Sequence, residues 1–234
     1  MNISLKKGQF WKSIFVVSIY ILFTIFLPKV ILEFINLTSI NSRIIVMLSS
    51  CLLATIVILV FTSKYKINSI ENMTNKHGII RTIMYGIIGF LAMMMLQMML
   101  GISLKLISVI FGIETGSQNT STISQIVKSV PLYSVYAIVF APILEELVFR
   151  KAIFGYVYDI VETKSDYIRF TLAALVTGII FSLPHDGFSP VMIVYVVMSI
   201  VFSILYKITG RILTPILAHI LMNFIVLFVQ VYLA

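Results

Sequence analysis

A ten-residue stretch in the second half of the chain, residues 141–150, reads APILEELVFR. It places two adjacent carboxylates, Glu145 and Glu146, and the guanidinium of Arg150 within an apolar run that continues on both sides. Each ionised group costs about 2.5–3.5 kcal/mol at the centre of a bilayer, whereas each leucine, isoleucine, phenylalanine or valine contributes only about 0.3–0.6 kcal/mol. A membrane helix tolerates three such groups where they face the protein interior or a water-filled cavity, so this stretch is a candidate functional site.

The composition of the whole chain agrees with a membrane location. Of its 234 residues, 60% are hydrophobic and only 11% are charged, whereas soluble domains carry about 25% charged residues. The apolar segments are continuous over about 20 residues, the length of a membrane-spanning helix, and do not alternate as the short strands of a β-barrel do. We therefore predict an all-α fold, a polytopic membrane helical bundle.

Seven apolar segments are long enough to span a bilayer. They cover residues 10–35, 44–63, 79–100, 130–156, 168–183, 191–206 and 212–233. The third is expected to continue past Gly101 as an amphipathic helix that reaches Ile113. The Ser-, Thr- and Asn-rich residues 114–125 are expected to form a connection.

Basic residues concentrate in the N-terminal segment and in the second, fourth and sixth connections, and the alternate connections carry few. The positive-inside rule then places the N-terminus in the cytoplasm and the C-terminus outside. The net charge of +8 is therefore a sign of topology, and we predict no nucleic-acid partner. The Ile- and Lys-rich composition favours a bacterial plasma membrane, with the lipid bilayer as partner. The sequence gives no basis for predicting an oligomeric state.

Spacing within the fourth span separates the two glutamates. Glu146 and Arg150 are four residues apart, lie on one helix face and can pair. Glu145 is rotated by about 100° from Glu146, which leaves it available for chemistry. Pro142 is expected to loosen the helix one turn earlier.

Two later spans carry further polar residues. Pro184 is expected to break the fifth span and leave His185 on irregular backbone that lines a cavity. The last span contains His219 and Asn223, four residues apart on one face. The third histidine of the chain, His77, falls in a basic polar loop and is expected to be solvated.

Each feature also has a purely structural explanation. The Glu146–Arg150 pair could only bridge two helices, and His185 could be an interfacial residue. His219 and Asn223 could form an interhelical hydrogen bond, which in membranes is worth about 0.6–2 kcal/mol. The cluster of methionines around Met94 is interpreted as packing or lipid contact. All three polar features together are harder to explain in this way.

The three motifs, in this order, resemble the CPBP family, the CAAX-protease and bacteriocin-processing group of intramembrane endopeptidases, also called Abi proteins. The resemblance extends from residue 130 to the end of the chain. It implies N-terminal helices and loops in residues 1–126 and a catalytic core of the C-terminal four helices in residues 127–234, within one integrated membrane domain.

The same resemblance implies roles for the candidate residues. Glu145 and His185 would activate the water that attacks the scissile carbonyl, and His219 with Asn223 would stabilise the oxyanion. Glu146 and Arg150 would support the site. Hydrogen-bond donors aimed at a developing oxyanion commonly supply about 3–4 kcal/mol each.

Metal dependence has two interpretations. Glu145, His185 and His219 are ligand types that hold zinc in hydrolases with one open coordination position. The chain lacks the paired-histidine helix motif of metalloproteases, and asparagine is an uncommon zinc ligand. Well-studied members of the family resemble glutamate-dependent, metal-free enzymes, so we expect no cofactor, with zinc as the open alternative.

The expected substrate is a small peptide precursor, such as a bacteriocin or quorum-sensing peptide, or the tail of a membrane-associated protein. The alternative is a non-catalytic immunity or scaffold protein that binds a bacteriocin or a signalling partner. A small transporter using Glu145 as a proton carrier is disfavoured, because the sequence shows no inverted repeat.

Overall fold

The computed structural model describes residues 2–3, 5–73 and 78–233, so His77 lies outside the described residues. The described chain is mostly helical, with connecting turns and one short antiparallel ribbon, in which β1 (Asn2–Ile3) pairs with β2 (Val161–Glu162). The α-helices are α1 (Lys7–Ile21), α2 (Leu27–Ile35), α3 (Ile40–Lys64), α4 (Ile70–Met73), α5 (Ile79–Phe111), α6 (Gln118–Ser129), α7 (Tyr133–Val135), α8 (Ala141–Glu145), α9 (Gly155–Ile160), α10 (Asp166–Asp186), α11 (Met192–Thr209) and α12 (Leu213–Tyr232). Three π-helical segments join some of them: Leu22–Phe26, Tyr136–Phe140 and Glu146–Phe154.

Six helical units in the described residues are long and apolar enough to cross a membrane. They are Lys7–Ile35, Ile40–Lys64, Ile79–Phe111, Asp166–Asp186, Met192–Thr209 and Leu213–Tyr232. Each corresponds to one predicted span within a few residues at either end, and the predicted extension of the third span belongs to the same continuous helix, α5. The polytopic all-α membrane bundle is therefore confirmed.

The seventh predicted span, residues 130–156, differs from the other six. It corresponds to a helical run over residues 133–160 in which α7, α8 and α9 alternate with two π-helical segments. Pro142 lies in the first turn of α8, directly after the π-helical segment Tyr136–Phe140. A proline lacks the N–H group and its ring collides with the carbonyl four residues earlier, so the preceding turn widens. The helix is therefore wider over the turn before Pro142, Tyr136–Phe140, as the sequence predicted.

The prediction for Pro184 was wrong. Helix α10 continues through Pro184 and ends at Asp186, so His185 lies in the last helical turn and not on irregular backbone. A proline near a helix C-terminus leaves one carbonyl of the preceding turn without its usual donor, and the chain here absorbs that loss without unwinding.

The polar residues 114–125 were expected to form a connection, but most of them belong to α6. Ser117 caps this helix by accepting a hydrogen bond from the N–H of Thr120. Ser124 and Val127 are buried, which shows that one face of α6 packs against the bundle. A polar helix therefore covers this part of the membrane domain.

Small residues let the helices of the core approach closely. A Cβ atom on Gly89 of α5 would lie 2.4 Å from a methyl group of Leu205 on α11, and one on Gly86 would lie 2.8 Å from Leu217 on α12. Such contacts are typical of packing between membrane helices. The buried cluster between these helices also includes side chains of α1, α3, α8 and α10.

The side chain of Asn68 fixes the segment between α3 and α4 through hydrogen bonds. The side-chain amide of Asn68 donates to the carbonyl oxygen of Lys151 at 2.6 Å and to the hydroxyl of Tyr206 at 3.0 Å. Asn68 occupies the space that a side chain at Gly155 would need, since a Cβ there would lie 2.3 Å from its Nδ2 atom. Only glycine therefore fits at the start of α9.

We predict that Gly155→Ala lowers the free energy of unfolding by about 1–3 kcal/mol, the usual effect of forcing extra volume into a packed site. The measurement is thermal unfolding of the purified protein in detergent. Gly101→Ala is the matched control, because a Cβ at Gly101 would meet nothing within 4 Å. Equal midpoints for the two variants would contradict this account of Gly155.

Candidate active site

Three separate helices bring four of the predicted side chains to one cavity. Glu145 ends α8, His185 lies in α10, and His219 and Asn223 lie in α12. All four line a cavity of about 390 Å³. The Oε2 atom of Glu145 lies 4.0 Å from Nε2 of His185 and 3.8 Å from Nε2 of His219. The structure thus places Glu145 between the two imidazoles.

His185 is oriented by its own helix and by two aromatic rings. Its Nδ1 atom lies 2.7 Å from the carbonyl oxygen of Phe181. Because a carbonyl oxygen only accepts, Nδ1 is the donor, and Nε2 of the neutral ring then carries a lone pair. The ring packs against Phe181 and Tyr195, each with a centroid separation of 4.6 Å. Nε2 is left facing Glu145.

The gap between Glu145 and His185 matches one water molecule. Their facing atoms, Oε2 and Nε2, are 4.0 Å apart, which is too far for a direct hydrogen bond. A water about 2.8 Å from each acceptor would span this gap at roughly the angle between its own two hydrogens. The pair can therefore hold and orient a water without any movement of the helices.

His219 is held by the second glutamate. Its Nδ1 atom lies 2.8 Å from Oε1 of Glu146, and its ring stacks on Phe202 with a centroid separation of 4.7 Å. The sequence predicted that Glu146 pairs with Arg150, and the structure shows this contact at 3.1 Å between Oε2 and Nε. The structure also shows the contact between Glu146 and His219, which the sequence did not predict. Glu146 thus connects Arg150 to an imidazole of the cavity.

Arg150 is completely buried, as is Glu146. Its guanidinium carbon lies 4.5 Å from the ring centroid of Phe181 and 5.1 Å from that of Phe202. The N–H groups of Arg150 make no hydrogen bond to the described residues, so its contact with Glu146 is a charge contact without hydrogen-bond alignment. Two aromatic faces and one carboxylate therefore stabilise this cation.

Asn223 is anchored by the π turn before α8. Its amide nitrogen donates to the carbonyl oxygen of Ala137 at 2.9 Å. That carbonyl is available because the N–H of Ala141 bonds to Tyr136 instead, and because Pro142 has no N–H to offer. An asparagine amide has two hydrogens. One anchors the side chain, and the other remains to donate into the cavity.

Comparison with known proteins points to one family. A family model described as type II CAAX prenyl endopeptidase Rce1-like matches residues 127–225, which include all six candidate site residues. The chain is 31% identical over 186 residues to the membrane-embedded CAAX protease MroQ of Staphylococcus aureus (strain USA300), covering 77% of this chain and 73% of MroQ. This chain belongs to the CPBP family.

A further relative is the putative membrane peptidase YdiL of Bacillus subtilis (strain 168). It is 34% identical over 110 residues, which cover 47% of this chain and 41% of YdiL. No solved structure gives a significant match. Membership of the CPBP family, together with the apolar helices, identifies the chain as a multi-pass membrane protein and, in general terms, a membrane endopeptidase.

The donor atoms in this CPBP chain are spaced more widely than the ligands of a tetrahedral zinc site. Ligand atoms about 2.0–2.2 Å from a tetrahedral zinc lie about 3.4 Å from one another. Glu145 Oε2 is 4.0 Å and 3.8 Å from the two imidazole nitrogens. Among the described residues, no group of three or more histidine, cysteine, aspartate or glutamate side chains is arranged to hold a metal ion.

The structure also adds cavity residues that sequence reasoning missed. One wall is polar and comes from the start of α6, with Ser117, Asn119 and Thr120. The signal for it was a serine cap followed by apolar residues at helical spacing. A second addition is Gln97 of α5, a single amide within a methionine-rich membrane segment. The signal in the sequence was the presence of an amide in an otherwise apolar span, since burying an amide without a hydrogen-bond partner is unfavourable.

We predict that Arg150→Met lowers the free energy of unfolding by about 3–5 kcal/mol, because it removes the guanidinium that faces the buried carboxylate of Glu146 and leaves the contact with His219 alone to stabilise that charge. Thermal unfolding in detergent measures the effect. The double variant Glu146→Gln/Arg150→Met removes both charges and should regain much of the lost stability.

The control for Arg150→Met is Lys207→Met. Lys207 pairs with Asp166, whose side chain is 64% exposed, so its loss should cost at most about 1 kcal/mol. A double variant no more stable than Arg150→Met alone would show that the buried charge is not the source of the instability.

Proposed function

We propose that this protein hydrolyses an internal peptide bond within the membrane, in a small peptide precursor or in the tail of a membrane-associated protein. The observation that carries the proposal is the water-sized gap between Glu145 and His185 inside a cavity lined by helices long and apolar enough to cross a membrane. The names of the two relatives, a CAAX protease and a putative membrane peptidase, support the same class of reaction.

The proposed reaction begins with a water held between Glu145 and His185. Glu145 removes one proton from this water while the water oxygen attacks the scissile carbonyl carbon. The electron pair of the carbonyl double bond moves onto the carbonyl oxygen. His185 accepts the second hydrogen of the water in a hydrogen bond and fixes its direction. The oxyanion electron pair then re-forms the carbonyl as the carbon–nitrogen bond breaks, and the proton passes from Glu145 to the leaving amide nitrogen.

The oxyanion in this scheme is stabilised by α12. Asn223 donates its second amide hydrogen, and His219 donates from Nε2. Donation by His219 requires the doubly protonated ring, because Nδ1 already donates to Glu146. The anchoring of both side chains, by Glu146 and by Ala137, makes them preorganised donors.

The lining of the cavity supports an uncharged substrate segment. The described residues that line it include no lysine and no arginine, and its acidic residue is Glu145. An acidic side chain or a free C-terminal carboxylate would lose its hydration there without gaining a lysine or arginine as partner. These features favour an internal bond flanked by neutral residues. The Ile- and Lys-rich composition and the distribution of basic residues support a bacterial plasma membrane location for the enzyme itself, with its N-terminus in the cytoplasm.

We predict that Glu145→Gln abolishes cleavage, with a loss of at least about 10³-fold, because the amide cannot act as a base. The measurement compares the peptides in membranes of cells that make the wild type, Glu145→Gln or Glu33→Gln. Glu33 is the matched control, since it is an exposed glutamate on α2, away from the cavity. Product peptides should disappear in the first variant and persist in the second.

Two results would count against catalysis at Glu145. One is an unchanged set of product peptides in Glu145→Gln. The other is a biological function that survives in Glu145→Gln but is lost when residues on the cavity wall are changed, as a non-catalytic immunity or scaffold protein would behave.

The proposed chemistry needs no metal, so we predict that the purified enzyme keeps its activity, within about twofold, after treatment with 1,10-phenanthroline. A metal-activated water would lose its acidity when the ion is removed. Loss of cleavage that zinc restores would replace the glutamate mechanism with a zinc mechanism, and Glu145→Gln alone cannot distinguish the two.

A further inference from the structure

Gln97 occupies an unusual position for an amide. It lies in the middle of the membrane-spanning helix α5 and lines the cavity. Its Nε2 atom lies 3.2 Å from the sulfur of Met198 and 3.5 Å from the sulfur of Met222. Met222 directly precedes Asn223 in α12, so the amide of Gln97 lies beside the proposed oxyanion donors.

The amide of Gln97 has weak partners in this structure. A thioether sulfur is a poor hydrogen-bond acceptor. The Oε1 atom accepts no hydrogen bond from a described residue, and it does not belong to the fully buried atoms. A polar group in an apolar region gains from any ligand that satisfies it. The side chain therefore keeps both a donor and an acceptor available at the cavity wall.

We propose that Gln97 binds the main chain of the substrate next to the scissile bond. Its Oε1 atom accepts from a substrate N–H, and its Nε2 atom donates to the neighbouring carbonyl in place of the two sulfurs. A side-chain amide carries the same donor and acceptor as a peptide group, so it can bind any extended peptide whatever its side chains. This inference rests on the proposed function, because it assigns a peptide to the same cavity.

The surroundings of Gln97 favour the main chain over a polar side chain of the substrate. The side chains shown beside it are Met198 and Met222, which also line the cavity. A peptide strand lying here would place neutral side chains against these residues and would leave its own amide groups without partners. Gln97 supplies the partner that an extended peptide lacks in an apolar wall.

The test measures peptide binding without hydrolysis. The full-length protein carrying Glu145→Gln is placed in lipid nanodiscs and exposed to a pool of 12-residue peptides built from alanine, leucine, serine, valine and tyrosine. The tightest binder is labelled, and its Kd is measured with and without the further change Gln97→Met. Methionine matches glutamine in size and should preserve the packing against the two methionines. Gln125→Met, on the exposed side of α6, is the matched control.

We expect Gln97→Met to raise the Kd about tenfold and Gln125→Met to leave it unchanged. A scan with N-methylated peptides identifies the bond. Methylation of one substrate N–H should weaken binding at least fivefold when Gln97 is present, and less than twofold in Gln97→Met. Thermal unfolding of both variants confirms that the bundle is intact.

An unchanged Kd in Gln97→Met, the same N-methyl profile in both proteins, or a pool from which nothing binds would each overturn the assignment. Binding is measured in the Glu145→Gln background and does not depend on cleavage. A protein that binds the peptide through Gln97 but never cleaves it would therefore refute the proposed function and retain this inference.

Discussion

The contact between Arg150 and Glu146 is the constraint on which the site depends. Both side chains are completely buried in a membrane-embedded bundle, where an isolated charge is strongly unfavourable. The structure compensates each of them. Arg150 lies against the faces of Phe181 and Phe202, and Glu146 accepts from His219 while it faces Arg150. Removing any member would leave a charge or a polar atom without its partner.

The two aromatic rings that contact Arg150 also pack against the two histidines of the cavity. Phe181 packs on His185 and lies in the same helix, α10, and Phe202 of α11 stacks on His219 of α12. Two helices, α10 and α11, thus contact the guanidinium, and α12 is joined to it through the stacking of His219 on Phe202. The positions of the imidazoles relative to Glu145 follow from this arrangement, because each ring contacts both the cation and one histidine. A buried ion pair of this kind contributes more to geometry than to stability.

The sequence was sufficient for the features that depend on local chemistry. Continuous apolar segments predicted the membrane helices, and the ionisable residues inside them pointed to Glu145, Arg150 and His219.

The sequence was insufficient where tertiary contacts decide the structure. Pro184 was compatible with a helix because only its own N–H is lost near the end of α10. The polar α6 was expected to be a connection because it has few apolar residues, and these are buried through packing against α12. The contact between Glu146 and His219 joins residues 73 positions apart, which no spacing rule predicts.

The polar helix α6 is tied to His185 through Asp186. The carboxylate of Asp186 accepts from the N–H of Asn119 at 2.9 Å and from the hydroxyl of Ser117 at 2.6 Å, and a negative charge is favourable at this helix N-terminus. The hydroxyl of Ser117 also lies 3.0 Å from that of Tyr195, whose ring packs on His185. Two routes therefore connect the start of α6 to the imidazole that faces Glu145: one through the adjacent residue in α10 and one through an aromatic ring of α11. The groups that hold α6 in place are thus next to the groups that orient His185. The polar wall of the cavity and the direction of Nε2 of His185 are therefore fixed together.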